Sequence, residues 1–234
     1  MRLEISGRCH YHIALDLFPD TIRAHSYPEK SHVNRLICKV VTTAFMLMLL
    51  AHTANAEGDP ERGRVIGYTC LGCHGIEGYR NAYPSYRVPK LGGQKAEALE
   101  NALRAYKGGS RPHHTMQAQG ASITEQDIED LVAWITLSPP ARDDLDAESV
   151  GNHDSVKTCV NCHGTAGADV KPAPPVLSGQ HRSYLAEALK QYKDGERGNT
   201  VMTAFTTGLT EQDIEILADF FAAQEGLYTL GDPH

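Results

Sequence analysis

The chain has 234 residues, of which 41% are hydrophobic and 22% are charged, as is usual for a globular protein with one large or two small domains. Its 22 Lys and Arg residues against 29 Asp and Glu residues give a net charge of −7, which argues against nucleic-acid binding. Six cysteines are too few for a disulfide-rich scaffold, so their positions are more informative than their number.

The first predicted element in chain order is an apolar run over residues 40–51, which is too short for a typical membrane span. Arg35 and Lys39 precede the run, and Ala54-Asn55-Ala56 follows it as a small-residue cleavage site. This arrangement predicts a signal peptide that directs the protein to the periplasm. Cleavage after Ala56 would make Glu57 the first residue of the mature chain. The alternative is an uncleaved signal that anchors the chain to the inner membrane.

Residues 1–56 are therefore interpreted as a non-mature extension that ends in the signal peptide. Because a signal peptide normally starts a chain, we expect the true start codon near Val33. Cys9 and Cys38 are then lost with the extension, and four cysteines remain in the mature protein.

The rest of the sequence is a tandem repeat of two copies, each about the size of a small domain. Three motifs occur twice in the same order: C-x-x-C-H-G at 70–75 and 159–164, L-x-G-Q at 91–94 and 177–180, and TEQDIE at 124–129 and 210–215. Between the copies, residues 138–146 hold two adjacent prolines and an acidic run, which break helical periodicity. We predict a first domain over 57–141 and a second domain over 142–234.

Both copies have helical patterns, and neither shows the alternation that is typical of strands. Stretches that end at glycine predict helices over 96–107 and 181–194. Thr124 and Thr210 each stand three residues before an aspartate, which predicts a capping box at the start of an apolar helix. Shorter helices are expected just before the cysteine pairs, over 61–69 and 150–158. The predicted fold class is all-α.

Each copy contains C-x-x-C-H, the attachment motif of c-type haem. The two thiols at this spacing add to the two vinyl groups of the porphyrin, and the histidine that follows binds the iron. Two occurrences at equivalent points of an exported repeat predict two covalently bound haem c groups. The predicted attachment residues are Cys70, Cys73, Cys159 and Cys162, and the predicted proximal ligands are His74 and His163.

Two other interpretations of the cysteine pairs are weaker. A thioredoxin-like redox pair would accompany a βαβ pattern, which the sequence does not show. A zinc site would need a fourth ligand in each copy, and it would leave the methionines of the repeat unexplained.

The predicted mature chain contains two methionines, Met116 and Met202, and each stands eight residues before the TEQDIE motif of its copy. Both are expected in polar loops, where a methionine is poorly explained as core filler. We predict that both are distal iron ligands, because thioether plus imidazole is a ligation of electron-transfer haems. His113 and His114 are rival ligands in the first copy, whereas the second copy has no histidine at these positions.

These features resemble the cytochrome c4 family of dihaem class I cytochromes c over residues 58–226. The shared features are C-x-x-C-H-G, L-x-G-Q, the helices that end in Tyr106 and Tyr192, an arginine after the helix-ending glycine, the methionine and the final capped helix. The resemblance implies a tandem pair of class I cytochrome c domains, each a few helices around a covalently bound haem. The sequence departs from the family after the methionines, where Gln117 and Thr203 replace a frequent proline.

The resemblance also implies roles for two matched pairs of residues. Pro89 and Pro175 would each offer a carbonyl oxygen to the proximal imidazole, which fixes the ring and raises its basicity. Plain turn prolines are the alternative. Arg111 and Arg197 would pair with haem propionates, and solvated surface arginines are the alternative.

These inferences predict an electron carrier rather than an enzyme, because protein ligands on both sides of each iron leave no position for a substrate. The resemblance implies transfer of single electrons from a quinol–cytochrome c reductase type of donor to a terminal oxidase or another acceptor. The expected partners are redox proteins: a membrane cytochrome complex, a terminal oxidase or a dehydrogenase subunit. Nucleic acid and small-molecule substrates are not expected, and association with a membrane surface is left open.

Two other functions stay open at this stage. One is an electron-accepting cytochrome subunit of a dehydrogenase, such as flavocytochrome c sulfide dehydrogenase. The other is a catalytic dihaem enzyme in which one distal ligand is labile, as in peroxidases, with Met116 as the weaker ligand.

Overall fold

Helices make up nearly all of the regular structure in the computed structural model, which describes residues 58–83, 85–142, 145, 153–164 and 170–231. The helices in this part of the chain are α1 (Pro60–Ile66), α2 (Tyr68–His74), α3 (Ala96–Lys107), α4 (His114–Ser122), α5 (Glu125–Ile135), α6 (Asp154–His163), α7 (Arg182–Lys193), α8 (Thr200–Thr206) and α9 (Glu211–Ala222). Extended pairing in the same residues is limited to two isolated bridges, Arg80 with Arg87 and Gly92 with Tyr228. The all-α prediction is therefore confirmed.

The predicted signal peptide and the predicted mature start at Glu57 lie outside the described residues. Within the described ranges, no helix combines the length and the apolar character that crossing a membrane requires. All described residues belong to one compact unit, Ala56–His234, so the domain boundary between residues 141 and 142 stays a prediction.

The first half is built around α3 and α5. Thr124 and Asp127 form the predicted capping box at the start of α5, in which each side chain accepts a hydrogen bond from the other residue's backbone N–H. The apolar face of α5 packs against α3. The residues buried between these helices are Leu99, Ile128, Val132 and Ile135.

Helix α1 lies directly against α5, and a glycine allows this close approach. A Cβ atom at Gly63 would come within 1.9 Å of the backbone carbonyl oxygen of Asp130. The side chain of Asp130 is buried, and its carboxylate accepts hydrogen bonds from the backbone N–H of Asp59 (2.7 Å) and from Arg62. Arg62 also pairs with Asp127. The start of the described chain is thus fixed by a buried carboxylate.

The second half repeats this arrangement with α7 and α9 in the places of α3 and α5. Thr210 and Asp213 form the second predicted capping box. Helix α9 packs against α6 and α7. The buried residues of this core are Val156, Val160, Leu185, Ala186, Ile214, Leu217, Ala218 and Phe221.

The predicted ends of two helices are wrong. The helices expected over 61–69 and 150–158 do not stop before the cysteine pairs, because α2 and α6 continue through C-x-x-C-H to His74 and His163. Gly67 divides the first of these segments into α1 and α2. Glycine and cysteine favour helices only weakly, so the sequence pattern stops short of the motif, whereas packing carries each helix to the end of it.

The methionines lie in short helices, and the prediction of polar loops is wrong. Met116 is the third residue of α4, and Met202 is the third residue of α8. Helix α4 lacks an apolar face and α8 has only seven residues, so hydrophobic periodicity detected neither of them. Each packs against the long helix of its own half, α4 on α3 and α8 on α7.

The end of the chain crosses from the second half to the first. Beyond α9, Tyr228 and Gly92 exchange two backbone hydrogen bonds of 3.0 and 3.2 Å. Leu230 is 3% exposed and packs into the core of the first half. Its N–H donates to the carbonyl oxygen of His74 (3.2 Å). The last described residues therefore belong to the first core by packing and to the second half by sequence.

Candidate haem sites

In each half, one helix carries the two cysteines and the histidine of the attachment motif. In α2, Cys70, Cys73 and His74 stand at positions i, i+3 and i+4, so the helix presents them on one face. The matched set on α6 is Cys159, Cys162 and His163. All four thiols are free and partly buried. The structure thus brings the predicted attachment residues together in two equivalent clusters.

Both motif histidines are oriented by a proline carbonyl. Nδ1 of His74 lies 2.8 Å from the carbonyl oxygen of Pro89, and Nδ1 of His163 lies 2.9 Å from that of Pro175. Because a carbonyl oxygen only accepts, each Nδ1 carries the proton, and the lone pair of the neutral ring is on Nε2. Burial lowers the pKa of His74, which keeps that imidazole neutral. The prolines are therefore more than turn residues, since they supply the contact that metal-binding histidines need.

The surroundings of the cysteines disagree with the two alternative chemistries. Burial raises the pKa of Cys70, and it raises the pKa of Cys159 to about 11, whereas a redox-active pair needs a lowered pKa. Among the described residues, no group of three or more His, Cys, Asp and Glu side chains could hold a metal ion, as a zinc site of these ligands requires. The clusters fit a porphyrin held by two thioethers and one imidazole.

The residue three positions before each methionine caps the methionine helix. Nδ1 of His113 accepts a hydrogen bond from the N–H of Met116 (3.2 Å), and Oδ1 of Asn199 accepts one from the N–H of Met202 (3.0 Å). Histidine and asparagine therefore have the same role in the two copies. This role explains His113 without iron ligation, and the other rival, His114, is exposed.

A cluster of two arginines and one tyrosine connects the halves. The guanidiniums of Arg111 and Arg197 each stack on a tyrosine of their own half, 4.5 Å from the ring centres of Tyr106 and Tyr192. Both also bond to the hydroxyl of Tyr184. Burial acts to raise the pKa of this phenol, but the two cations outweigh burial and lower the pKa to about 8. Because both arginines are partly buried, their interpretation as solvated surface residues is wrong.

Three residues that link the halves were not predicted from the sequence. Tyr184 has Ala98 as its counterpart in the first copy, so the repeat gave no signal for it. Gln94 and Gln180 recur in the L-x-G-Q motif, which was a signal, but only the structure shows that their side chains bond to the opposite half.

Two attachment clusters, each with an oriented histidine and a capped methionine helix in the same half, define a c-type cytochrome with two haem domains. The sequence matches the family described as "Cytochrome C oxidase, cbb3-type, subunit III" twice, over residues 61–135 and 146–221. It therefore belongs to that family and, by the similarities that follow, is a dihaem cytochrome of the cytochrome c4 family.

Several relatives match over most of their own length. Cytochrome c4 of Azotobacter vinelandii is 28% identical over 206 residues, which cover 78% of this chain and 97% of that protein. The thiosulfate dehydrogenase electron acceptor of Thiomonas intermedia is 24% identical over 79% of this chain and 89% of that protein.

Solved structures show the same likeness. Reduced recombinant cytochrome c4 from Pseudomonas stutzeri is 25% identical, with a TM-score of 0.52 over 72% of this chain and 100% of that chain. The thiosulfate dehydrogenase TsdBA from Marichromatium purpuratum is 27% identical, with a TM-score of 0.56 over 70% of this chain but only 40% of that chain. The predictions of two cytochrome c domains, two covalently bound haem c groups and an electron carrier that is not an enzyme are confirmed.

Proposed function

We propose that this protein shuttles single electrons in the periplasm between a quinol–cytochrome c reductase type of donor and a terminal oxidase or another redox protein. The observation that carries the proposal is the doubled site, in which each half has its own attachment cluster and its own carbonyl-oriented histidine. Two one-electron centres in one chain suit a carrier that takes up and passes on electrons singly.

In each domain, four side chains would hold the haem. The first set is Cys70 and Cys73 for the thioethers, with His74 and Met116 as axial ligands, and the second set is Cys159, Cys162, His163 and Met202. Free thiols at helical spacing and proton-bearing Nδ1 atoms support this assignment. When bound, the haem supplies a one-electron iron couple.

The residues around the iron positions have opposing effects on that couple. The carbonyl oxygens of Pro89 and Pro175 hold the imidazoles and raise their basicity, which favours the oxidised state. The thioether sulfurs of Met116 and Met202 favour the reduced state and so raise the potential. If a histidine and a methionine hold each iron, neither site would offer a position for substrate, as expected of a carrier.

Arg111 and Arg197 are suited to neutralise the haem propionates. Each guanidinium is held against a tyrosine ring, which keeps its orientation and leaves N–H donors for a carboxylate. Because Tyr184 bonds to both arginines, one cluster serves both domains.

The expected partners are redox proteins with positively charged docking surfaces, because the chain has a net charge of −7. Complementary charge speeds the encounter of such proteins. Export to the periplasm rests on the signal pattern that ends at Ala56.

Mass spectrometry of protein from the periplasmic fraction tests the attachment residues and export together. The expected species is a chain that starts at Glu57 and carries two haems, and acid–acetone extraction should leave the colour with the polypeptide. Cys159→Ala/Cys162→Ala should retain one haem, and Cys70→Ala/Cys73→Ala is the matched control in the other domain. A single haem in the unaltered protein, or an extractable pigment, would contradict the proposal.

A second candidate function is the electron-accepting cytochrome of a dehydrogenase, of which the flavocytochrome c sulfide dehydrogenases are one type. The similarity to the thiosulfate dehydrogenase electron acceptor, over most of both chains, favours it. Stopped-flow mixing of the oxidised protein with a reduced dehydrogenase and, separately, with a quinol–cytochrome c reductase distinguishes the candidates. Faster haem reduction by the dehydrogenase would establish the second one.

A further inference from the structure

The glutamines of the two L-x-G-Q motifs each bind the backbone of the other domain. Nε2 of Gln94 donates to the carbonyl oxygen of Val176 (3.0 Å), and Oε1 of Gln94 accepts from the N–H of Val176 (2.9 Å). Gln180 makes the same two bonds to Lys90, with distances of 3.0 Å to the carbonyl oxygen and 2.9 Å from the N–H. Each glutamine side chain therefore bonds to both the N–H and the carbonyl oxygen of one residue in the other domain.

The residues that are held come directly after the prolines that orient the histidines. The carbonyl of Pro175 and the N–H of Val176 belong to the same planar peptide unit, so a hydrogen bond to that N–H also fixes the direction of the carbonyl. His163 donates to this carbonyl oxygen. Gln94 of the first domain thereby fixes the acceptor of the second domain's histidine.

The bonds of Gln180 have the equivalent effect on the first domain. Gln180 holds the N–H of Lys90, in the peptide unit whose carbonyl oxygen belongs to Pro89 and accepts from His74. Each domain thus supplies the glutamine that fixes the histidine-binding carbonyl of the other domain.

The glutamine side chains are held in place from their own side as well. Oε1 of Gln94 also accepts from the N–H of Lys95, and Oε1 of Gln180 also accepts from the N–H of His181, both at 3.0 Å. Gln180 is 4% exposed, so loss of its bonds would leave buried polar groups without partners. Such contacts restrict the Pro89–Lys90 and Pro175–Val176 peptide units more than solvent-exposed hydrogen bonds would.

We infer that Gln94 and Gln180 are positioning residues that set the reduction potential of the haem in the opposite domain. The inference rests on the axial roles proposed for His74 and His163. A firm hydrogen bond at Nδ1 raises the basicity of the imidazole, which favours the oxidised iron and lowers the potential. Release of the peptide weakens that bond, so the potential rises in the domain that contains the released proline.

The variant Gln94→Met keeps the side-chain length and removes both bonds to Val176. Redox titration of the dihaem protein, followed by NMR resonances that separate the two haems, should show an upward shift for the second-domain haem and no shift for the first. Gln180→Met should give the mirror result. Hydrogen exchange should show loss of protection at the amide of Val176 in the first variant and of Lys90 in the second.

The variant Ser183→Ala is the matched control for a weaker interface. Oγ of Ser183 accepts from the N–H of Arg87 (3.0 Å) across the same interface, but that N–H is not in the peptide unit that a histidine binds. Both potentials should stay unchanged in this variant. This result would separate positioning of the histidine from general loosening of the domains.

Three outcomes would overturn the inference: both potentials move together in Gln94→Met, only the first-domain haem moves, or neither moves although Val176 loses protection. Each glutamine variant is decisive by itself, so failure of one to mature leaves the other as the test. Absence of histidine ligation in the unaltered protein would overturn the proposed ligand set and this inference together. Unchanged potentials in both variants, with ligation intact, would overturn this inference alone.

Discussion

His113 accepts a hydrogen bond from the backbone N–H of Met116, 3.2 Å away, at the start of the helix that carries the first-domain methionine. Asn199 accepts the equivalent bond from Met202 in the second domain. An imidazole nitrogen that accepts such a bond is unprotonated and engaged in the helix cap. The contact explains why a histidine stands three residues before the predicted ligand in one copy and an asparagine at the same position in the other.

The capping role predicts that His113→Asn leaves the ligation and the potential of the first haem unchanged, because asparagine fills the same cap in the second domain. His113→Ala should cost about 1 kcal/mol of stability, since the N–H of Met116 loses its acceptor. Denaturant unfolding measures the cost, and the ferric absorption spectrum reports the ligation. A changed spectrum in His113→Asn would identify His113 as a ligand.

The assignment of the distal ligands predicts that Met202→His lowers the potential of one haem and leaves the other nearly unchanged, because imidazole favours the oxidised iron more than a thioether does. The same variant should remove half of the methionine–iron charge-transfer absorption of the ferric protein. Met116→His should remove the other half. If the absorption stayed intact in Met116→Leu, the first-domain ligand would be another residue.

The buried position of Leu230 predicts that Leu230→Ala destabilises the first domain by about 2–5 kcal/mol, the usual cost of a leucine-sized cavity in a core. Urea unfolding, followed at each haem separately, should show an earlier transition for the first domain. Leu137→Ala is the control, because Leu137 is 69% exposed and its truncation should change stability by less than about 0.5 kcal/mol. An earlier transition of the second domain alone would contradict the assignment of Leu230 to the first core.

The capping boxes predict how stability changes in acid. Hydrogen bonds from the backbone and hydroxyl of Thr124, with a contribution from Arg62, lower the pKa of Asp127 from 3.8 to about 2. A carboxyl group whose pKa is lowered by folding stabilises the fold above its ordinary pKa, and this stabilisation is lost as the pH falls from 3.8 to about 2. Asp127→Asn should therefore flatten the pH dependence of first-domain unfolding across this window.

Asp213→Asn is the matched control in the second domain. Thr210 lowers the pKa of Asp213 in the same way, so this variant should flatten the acid dependence of the second domain and leave that of the first unchanged. Urea unfolding at a series of pH values measures both slopes. An unaltered slope for the first domain in Asp127→Asn would show that the capping carboxylate does not control its acid stability.

The parts of this fold that sequence reasoning predicted depend on neighbouring residues. A capping box needs only Thr124 and Asp127, and the haem clusters need only the spacing within C-x-x-C-H, so a short stretch of sequence contains the whole signal. The role of Pro89 and Pro175 was predicted from the resemblance to the cytochrome c4 family. The structure then supplied the distances that give these patterns their chemistry.

The parts that sequence reasoning missed depend on how the two copies pack together. Gln94 bonds to Val176, and Leu230 packs beside α3 and α5, over separations that no periodicity detects. Tyr184 is harder still, because it breaks the repeat instead of following it. The helix that carries Met116 was missed for another reason, since it is held by a cap and by packing on α3 and has no apolar face.

The burial of Leu230 in the first core also determines the order in which the two domains can be completed. Synthesis proceeds from the N-terminus, so α1 to α5 emerge from the ribosome before the residue that fills their core. The buried hydrophobic cluster of the second half ends within α9, and beyond it the N–H of the buried Leu227 still bonds to Ser178 of that half (2.8 Å). The domain that is made first is therefore finished last, and premature termination of the chain after α9 would damage the domain farther from the break.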